Sequence, residues 1–110
     1  MTKWDFEQTQ IFEKNFNKLI PKDIQEAFRG QMQKLLLENP YCGKPLGYKF
    51  FREKKIKKWR IYYLIYDKYL VLYFINLSDK KLQQDTIDKI KSELDLLKEY
   101  IGLKYKEKST

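Results

Sequence analysis

The sequence predicts an α+β fold with the element order β-α-α-β-β-β-α: a helical hairpin packed on one face of a small antiparallel sheet, and a C-terminal amphipathic helix. Three observations predict it. Apolar residues recur at helical spacing between about Gln10 and Leu36, and again between about Lys81 and Ile101. The intervening segment, residues 48–76, is dense in Tyr, Phe, Ile and Trp, the residues that fit a pleated sheet. The 110 residues, 43% of them apolar, suit a single small core. Residues 1–103 are read as one domain and 104–110 as a flexible C-terminal tail.

Each element has its own justification. Trp4 to Thr9 alternates Trp4 and Phe6 with Asp5 and Glu7, as a short strand does. Phe12, Phe16, Leu19 and Ile20 share a helical face that Pro21 ends. A second helix is expected from Asp23, with Glu26 three residues later in capping-box spacing. Its stripe runs through Ile24, Ala27, Phe28, Met32, Leu35 and Leu36 to the stop at Asn39-Pro40. Gly43, Pro45 and Gly47 mark a loop. Three strands follow: Tyr48 to Arg52, Ile56 to Tyr66 and Tyr69 to Asn76, with turns at Glu53-Lys54-Lys55 and Asp67-Lys68. The third is apolar throughout, the mark of a central strand buried on both faces. Ile87, Ile90, Leu94, Leu97 and Ile101 recur every three or four residues, and Gly102 is the expected end of that helix.

Composition removes several chemistries. Without histidine there is no Ser-His or Cys-His nucleophile pair and no His-ligated metal. Cys42 stands alone, so no internal disulfide forms, and without an activating histidine it reads as an incidental thiol. Asp79, Asp85 and Asp88 read as charge at a helix N-terminus rather than as a metal cluster. No metal and no cofactor are expected. No stretch approaches the ~20 apolar residues of a membrane span, and Met1 to Phe16 lacks a signal peptide's apolar core. The default expectation is a cytoplasmic protein without a membrane partner.

Most of the net charge of +8 lies in residues 44–68, which hold nine basic side chains against Glu53 and Asp67. Such a run is either a solvated hairpin whose lysines blunt an edge strand, or a polyanion site. Tyr48, Phe50, Phe51, Trp59, Tyr62 and Tyr66 lie among the cations and offer stacking faces. Strand alternation sends Trp59, Ile61, Tyr63 and Ile65 to the helices and Arg60, Tyr62, Leu64 and Tyr66 to a face left open. Arg60 is then either paired with a carboxylate such as Asp79 or Asp85, or a preorganised fork for a phosphate.

The segments Phe12 to Ile20, Lys44-Pro45-Leu46, Trp59-Arg60-Ile61-Tyr62-Tyr63-Leu64-Ile65-Tyr66 and Leu70 to Ile75, in that order, resemble the RelE/ParE superfamily of toxins from type II toxin–antitoxin systems. The Arg-Ile-Tyr-Tyr run resembles the family's core strand, and the long final helix resembles that of some archaeal and bacterial members. The resemblance implies a RelE-like domain and a metal-independent endoribonuclease, an mRNA interferase acting at the ribosome. In that chemistry the RNA 2′-OH attacks the adjacent phosphate, leaving a cyclic phosphate and a free 5′-OH. It also implies a cognate antitoxin, acidic or amphipathic, that covers the basic face.

By position, the resemblance makes Arg60 the phosphate clamp and places Lys49 and Arg52 near the family's basic pair. Lys81 takes the place of a second arginine, with Lys80 beside it. Lys54, Lys55, Lys57, Lys58, Lys80 and Tyr62 are the expected RNA contacts. At the place of the family tyrosine the sequence has Thr86. That departure keeps two alternatives: a ParE-like binding toxin that inhibits gyrase, and a degenerate RNA-binding member without cleavage.

Overall fold

Thr9 is where the chain passes from sheet to helix. In the computed structural model, which describes residues 4–108, β1 (Asp5–Gln8) ends there and α1 (Gln10–Leu19) begins. Thr9 Oγ1 accepts the Phe12 N–H at 3.0 Å, and its hydroxyl donates to the Ile75 carbonyl at 2.6 Å. One side chain thus caps the helix and moors it to the sheet.

The second helix starts two residues earlier than the Asp23 capping box predicts. α2 (Lys22–Ala27) has Pro21 at its N-cap and no side-chain cap. Proline's fixed φ suits the entry, and Gln25 supplies the fastening: its side-chain N–H groups donate to the Phe16 and Ile20 carbonyls at 3.2 and 2.8 Å. A π-helical turn (Phe28–Met32) leads without a break into α3 (Gln33–Glu38). A 3₁₀ turn (Pro40–Cys42) then delivers the chain to β2 (Lys44–Pro45), at the far edge of the sheet from β1.

β3 (Phe51–Ile56), β4 (Trp59–Tyr66) and β5 (Val71–Ser78) complete five strands in the order β1-β5-β4-β3-β2. The expected antiparallel meander is present, but β1 pairs with β5 in parallel, so the sheet is mixed. The β3–β4 turn falls at Lys57-Lys58, not at Glu53-Lys54-Lys55, because Ile56 and Trp59 pair across it and bury together. The β4–β5 turn occupies residues 67–70 rather than two positions, with Leu70 at φ 55°. β5 is buried on both faces, as its composition predicts.

Trp59, Ile61, Tyr63 and Ile65 pack with Phe12, Phe16, Phe28 and Leu36, as strand alternation predicts. The opposite face is not open. The C-terminal helical segment breaks at Glu93 into α4 (Gln83–Ser92) and α5 (Leu94–Lys104). Ile87, Ile90 and Ile101 from these helices bury Phe51, Tyr62, Leu64, Val71 and Tyr73 in a second core. The break lets one apolar stripe bend across the sheet, and α5 runs on past Gly102. Beyond it, the Lys108 N–H donates to the Lys68 carbonyl at 2.8 Å and its ammonium pairs with Asp5 at 3.0 Å. The last two residues of the expected tail, 109 and 110, lie outside the described residues. No helix among the described residues is long and apolar enough to cross a membrane.

Candidate polyanion-binding site

The position of the β3–β4 turn decides which side chains meet. With Lys57-Lys58 at its tip, Lys55 lies opposite Arg60, and Glu53 opposite Tyr62. Directly opposed residues project from the same face, so two cations stand side by side in a geometry that costs stability. Glu53 offsets that repulsion. Its carboxylate is 4.0 Å from Arg60 Nε and accepts a 2.7 Å hydrogen bond from Gln83 Nε2, at the start of α4. Glu53 is 7% exposed, and the Arg60 side chain 13%. Arg60 therefore does have a carboxylate partner, Glu53 rather than Asp79 or Asp85.

That partnership leaves the guanidinium free for more. A 4.0 Å separation is an ion pair but not a hydrogen bond, and a guanidinium carries five donors in a planar fork. Arg60 opens onto a cleft of ≈ 320 Å³ lined otherwise by Lys55, Lys58, Lys80, Lys81 and Asp79. The lining has five cations and one carboxylate, with Glu53 behind it. Asp79 Oδ1 accepts the Leu82 N–H at 3.1 Å and closes the turn that leads into α4. Lys58 also lies over the Trp59 ring, 5.0 Å from its centre.

The residues nominated from sequence divide into two groups. Arg60, Lys55, Lys58, Lys80 and Lys81 come together at the cleft, and Lys57 sits exposed at the adjoining turn tip with φ 55°. Lys49, Arg52 and Lys54 do not join them. Arg52 lies opposite Tyr63 and Lys54 opposite Ile61, on the face of the first helical layer. Arg52 is committed to its own surroundings, donating to the carbonyls of Lys49, Tyr41 and Gly43 at 2.9, 3.2 and 2.8 Å. Lys49 and Arg52 both lie over the Tyr41 ring, at 5.3 and 5.2 Å. The hydroxyl of Tyr41 meets Asp67, and burial followed by that hydrogen bond pushes its pKa up to about 12.

Tyr62 also departs from expectation. It projects toward the α4–α5 side, but those helices enclose it completely. Its hydroxyl shares a 2.8 Å hydrogen bond with Ser78 Oγ, and burial raises its pKa against that bond's opposing pull. Its ring has no free face for a base. The residues missed by sequence reasoning are Glu53 and Gln83. A turn drawn through Glu53 hides that it is a strand residue two positions before Lys55. Its signal was its isolation, since with Asp67 it is one of two acids in the basic run. Among the described residues no three His, Cys, Asp or Glu side chains gather as a metal site would need.

No protein-family model matches the chain, and no curated protein matches it by sequence. Solved structures do. The free E. coli toxin RelE, determined as a mutant, superposes with a TM-score of 0.64 at 18% identity, over 82% of this chain and 99% of that one. The RelBE2 toxin–antitoxin complex of Mycobacterium tuberculosis gives 0.61 at 20%, over 73% and 94%. The archaeal RelE–RelB complex of Pyrococcus horikoshii gives 0.60 at 18%, over 73% and 97%. With its mixed five-stranded sheet between a helical hairpin and a C-terminal helical segment, this chain has the RelE-like fold.

Proposed function

We propose that this chain is the toxin of a type II toxin–antitoxin pair and cuts mRNA at the ribosome without a metal. The observation that carries this reading is the cleft in which Arg60 meets Lys55, Lys58, Lys80 and Lys81. Phosphate is the ligand such a set suits. A planar fork grips two oxygens, and surrounding ammonium groups neutralise the rest.

In the proposed reaction the RNA 2′-oxygen attacks the adjacent phosphorus and the bond to the 5′-oxygen breaks. The products are a 2′,3′-cyclic phosphate and a 5′-hydroxyl. Arg60 binds the non-bridging oxygens as charge builds on the phosphorane. Its strand position and Glu53 hold the fork still, so little reorganisation is needed in the transition state. The 2′-OH proton leaves to water, and Lys81 or Lys80, beside the leaving 5′-oxygen, donates the proton that makes it a hydroxyl. The similar structures solved as complexes with RelB support an antitoxin partner here too; we expect it to be acidic or amphipathic and to cover the basic cleft.

One observation favours a second reading. The lining contains neither tyrosine nor histidine, and its one carboxylate, Asp79, accepts the Leu82 N–H. A cleft of that kind also suits a module that binds RNA without cutting it. Mapping mRNA 5′ ends after incubation with translating ribosomes separates the two. Arg60-dependent ends, with cyclic phosphate on the upstream fragments, support cleavage. Intact mRNA bound by the protein overturns it.

A further inference from the structure

At the other end of β4 the surface has a different character. Phe50, Ile65, Tyr66, Tyr69, Asp67, Lys68 and Lys98 enclose an opening of ≈ 250 Å³. Arg60 and Tyr66 are six residues apart on β4, or roughly 20 Å at strand rise. The opening is mostly aromatic and aliphatic, with ammonium groups among its lining residues. Asp67, its one acid, is engaged by the Tyr41 hydroxyl. Beside it Phe50 and Tyr48 are 36% and 44% exposed, their ring centres 5.1 Å apart at 35°. Lys91 Nζ lies 6.0 Å from the centre of the Tyr48 ring.

These rings are held, not loose. The Phe51 N–H donates to the Tyr48 carbonyl at 3.2 Å, the Leu46 N–H to Phe51 at 2.9 Å and the Ile65 N–H to Phe50 at 2.8 Å. Gly47 turns the chain at φ 90°, and a Cβ there would stand 3.1 Å from Lys91 Nζ. The backbone thus presents two half-exposed rings beside an apolar slot with three lysines around it, of which Lys68 pairs with Glu107 at 3.5 Å. Apolar rings rimmed by cations fit a flat base on a phosphate backbone, since every base has a π face and every phosphate a charge.

We propose that this slot binds an unstacked base of single-stranded RNA, with Phe50 and Tyr48 as stacking faces and Lys91 and Lys98 as phosphate contacts. The choice of RNA as the polymer rests on the proposed function. The slot itself does not depend on cleavage, and one strand is long enough to reach from it to the Arg60 cleft.

The test is fluorescence anisotropy on the full chain with two labelled 12-mers: oligoadenylate RNA, and an abasic strand with the same ribose-phosphate backbone. The Tyr48→Ala/Phe50→Ala double variant, with folding checked by circular dichroism, is expected to bind oligoadenylate at least 10-fold more weakly. Its affinity for the abasic strand should stay within about twofold of the parent's, since stacking requires a base. Tyr48→Phe, which keeps the ring, should bind like the parent. Lys91→Ala/Lys98→Ala should weaken both strands and flatten the salt dependence by about 0.7 for each lost phosphate contact. Unchanged oligoadenylate binding by the double alanine variant overturns the proposal and leaves the rings to a protein partner. Equal losses on the two strands overturn it as well. Slot-dependent binding without any cleavage would sink the nuclease reading alone, and Arg60-dependent cleavage with slot-independent binding would sink the slot alone.

Discussion

Arg52 and Arg60 lie on neighbouring strands and look equivalent in sequence, each next to a lysine-rich stretch. Their surroundings make them opposites. Arg52 donates to three backbone carbonyls and stacks on Tyr41, so its capacity is used within the protein. Arg60 has one carboxylate at 4.0 Å and four lysines across the cleft it faces. What separates them is the state of their donors. A guanidinium satisfied by carbonyls holds a loop in place, whereas one held only by a distant carboxylate among other cations keeps donors for an anion.

That contrast breaks first under alanine. Arg60→Ala should lower RNA cleavage by ~10²-fold or more, the usual scale for losing a group that stabilises transition-state charge. The stability change should be no more than about 1 kcal/mol, because Glu53 keeps its bond to Gln83. Arg52→Ala should do the reverse. It frees the Tyr41 and Gly43 carbonyls and should cost about 1–3 kcal/mol in urea unfolding, with cleavage per folded molecule close to the parent's. Equal activity losses in the two variants would erase the distinction.

The loop that Arg52 secures can be tested from beneath. Tyr63 is fully buried; its hydroxyl donates to the Pro40 carbonyl at 2.7 Å and accepts the Gly43 N–H at 3.2 Å. A Cβ on Gly43 would come within 2.5 Å of that hydroxyl and 2.8 Å of the Glu53 carbonyl, so Gly43→Ala should destabilise by about 1–3 kcal/mol. The urea midpoint should fall without a change in the Arg60 cleft's affinity for phosphate.

Alkaline pH separates the two regions more gently. Burial, then the hydrogen bond to Asp67, lifts Tyr41 to about 12, and burial, then Tyr100, lifts Tyr73 to about 12. Unfolded tyrosine titrates near ~10. A folded-state pKa above the unfolded one gives stability that is whole below pH ~10 and is lost as pH rises through about 12. Urea midpoints should therefore hold until about pH 10 and fall beyond it. The part of the tyrosinate absorbance that Tyr41→Phe and Tyr73→Phe variants lack should rise with the unfolding transition rather than before it. The smallest effect is expected at the turn. Lys57→Gly relieves a left-handed φ of 55° and should leave stability unchanged or raise it by up to about 1 kcal/mol.

How far the sequence carried the structure depends on which forces were local. Strand alternation sorted Trp59, Ile61, Tyr63 and Ile65 to the helical side correctly, because residue period alone sets it. The apolar run of β5 announced a central strand for the same reason. The covered second face was not legible. Ile87 to Ile101 reads as one straight stripe, and only the break at Glu93 lets two helices wrap the sheet and enclose Tyr62. The site was half legible. A charge count finds the basic segment, but a count carries no register. Moving the turn from Glu53-Lys54-Lys55 to Lys57-Lys58 brings Lys55 beside Arg60, exposes the role of Glu53 and sends Arg52 and Lys54 to the other face. A one-residue slip in register inverts every assignment of face, so turn placement had to come from the folded chain.

The most direct measurement follows the arginine Nε–H signals by ¹⁵N NMR while a 2′,3′-cyclic mononucleotide, the proposed product end group, is added. The Arg60 signal should shift saturably while the Arg52 signal stays fixed on its carbonyl. An Arg60 resonance that never moves, or an Arg52 resonance that moves in its place, would contradict the assignment of the cleft as the phosphate site.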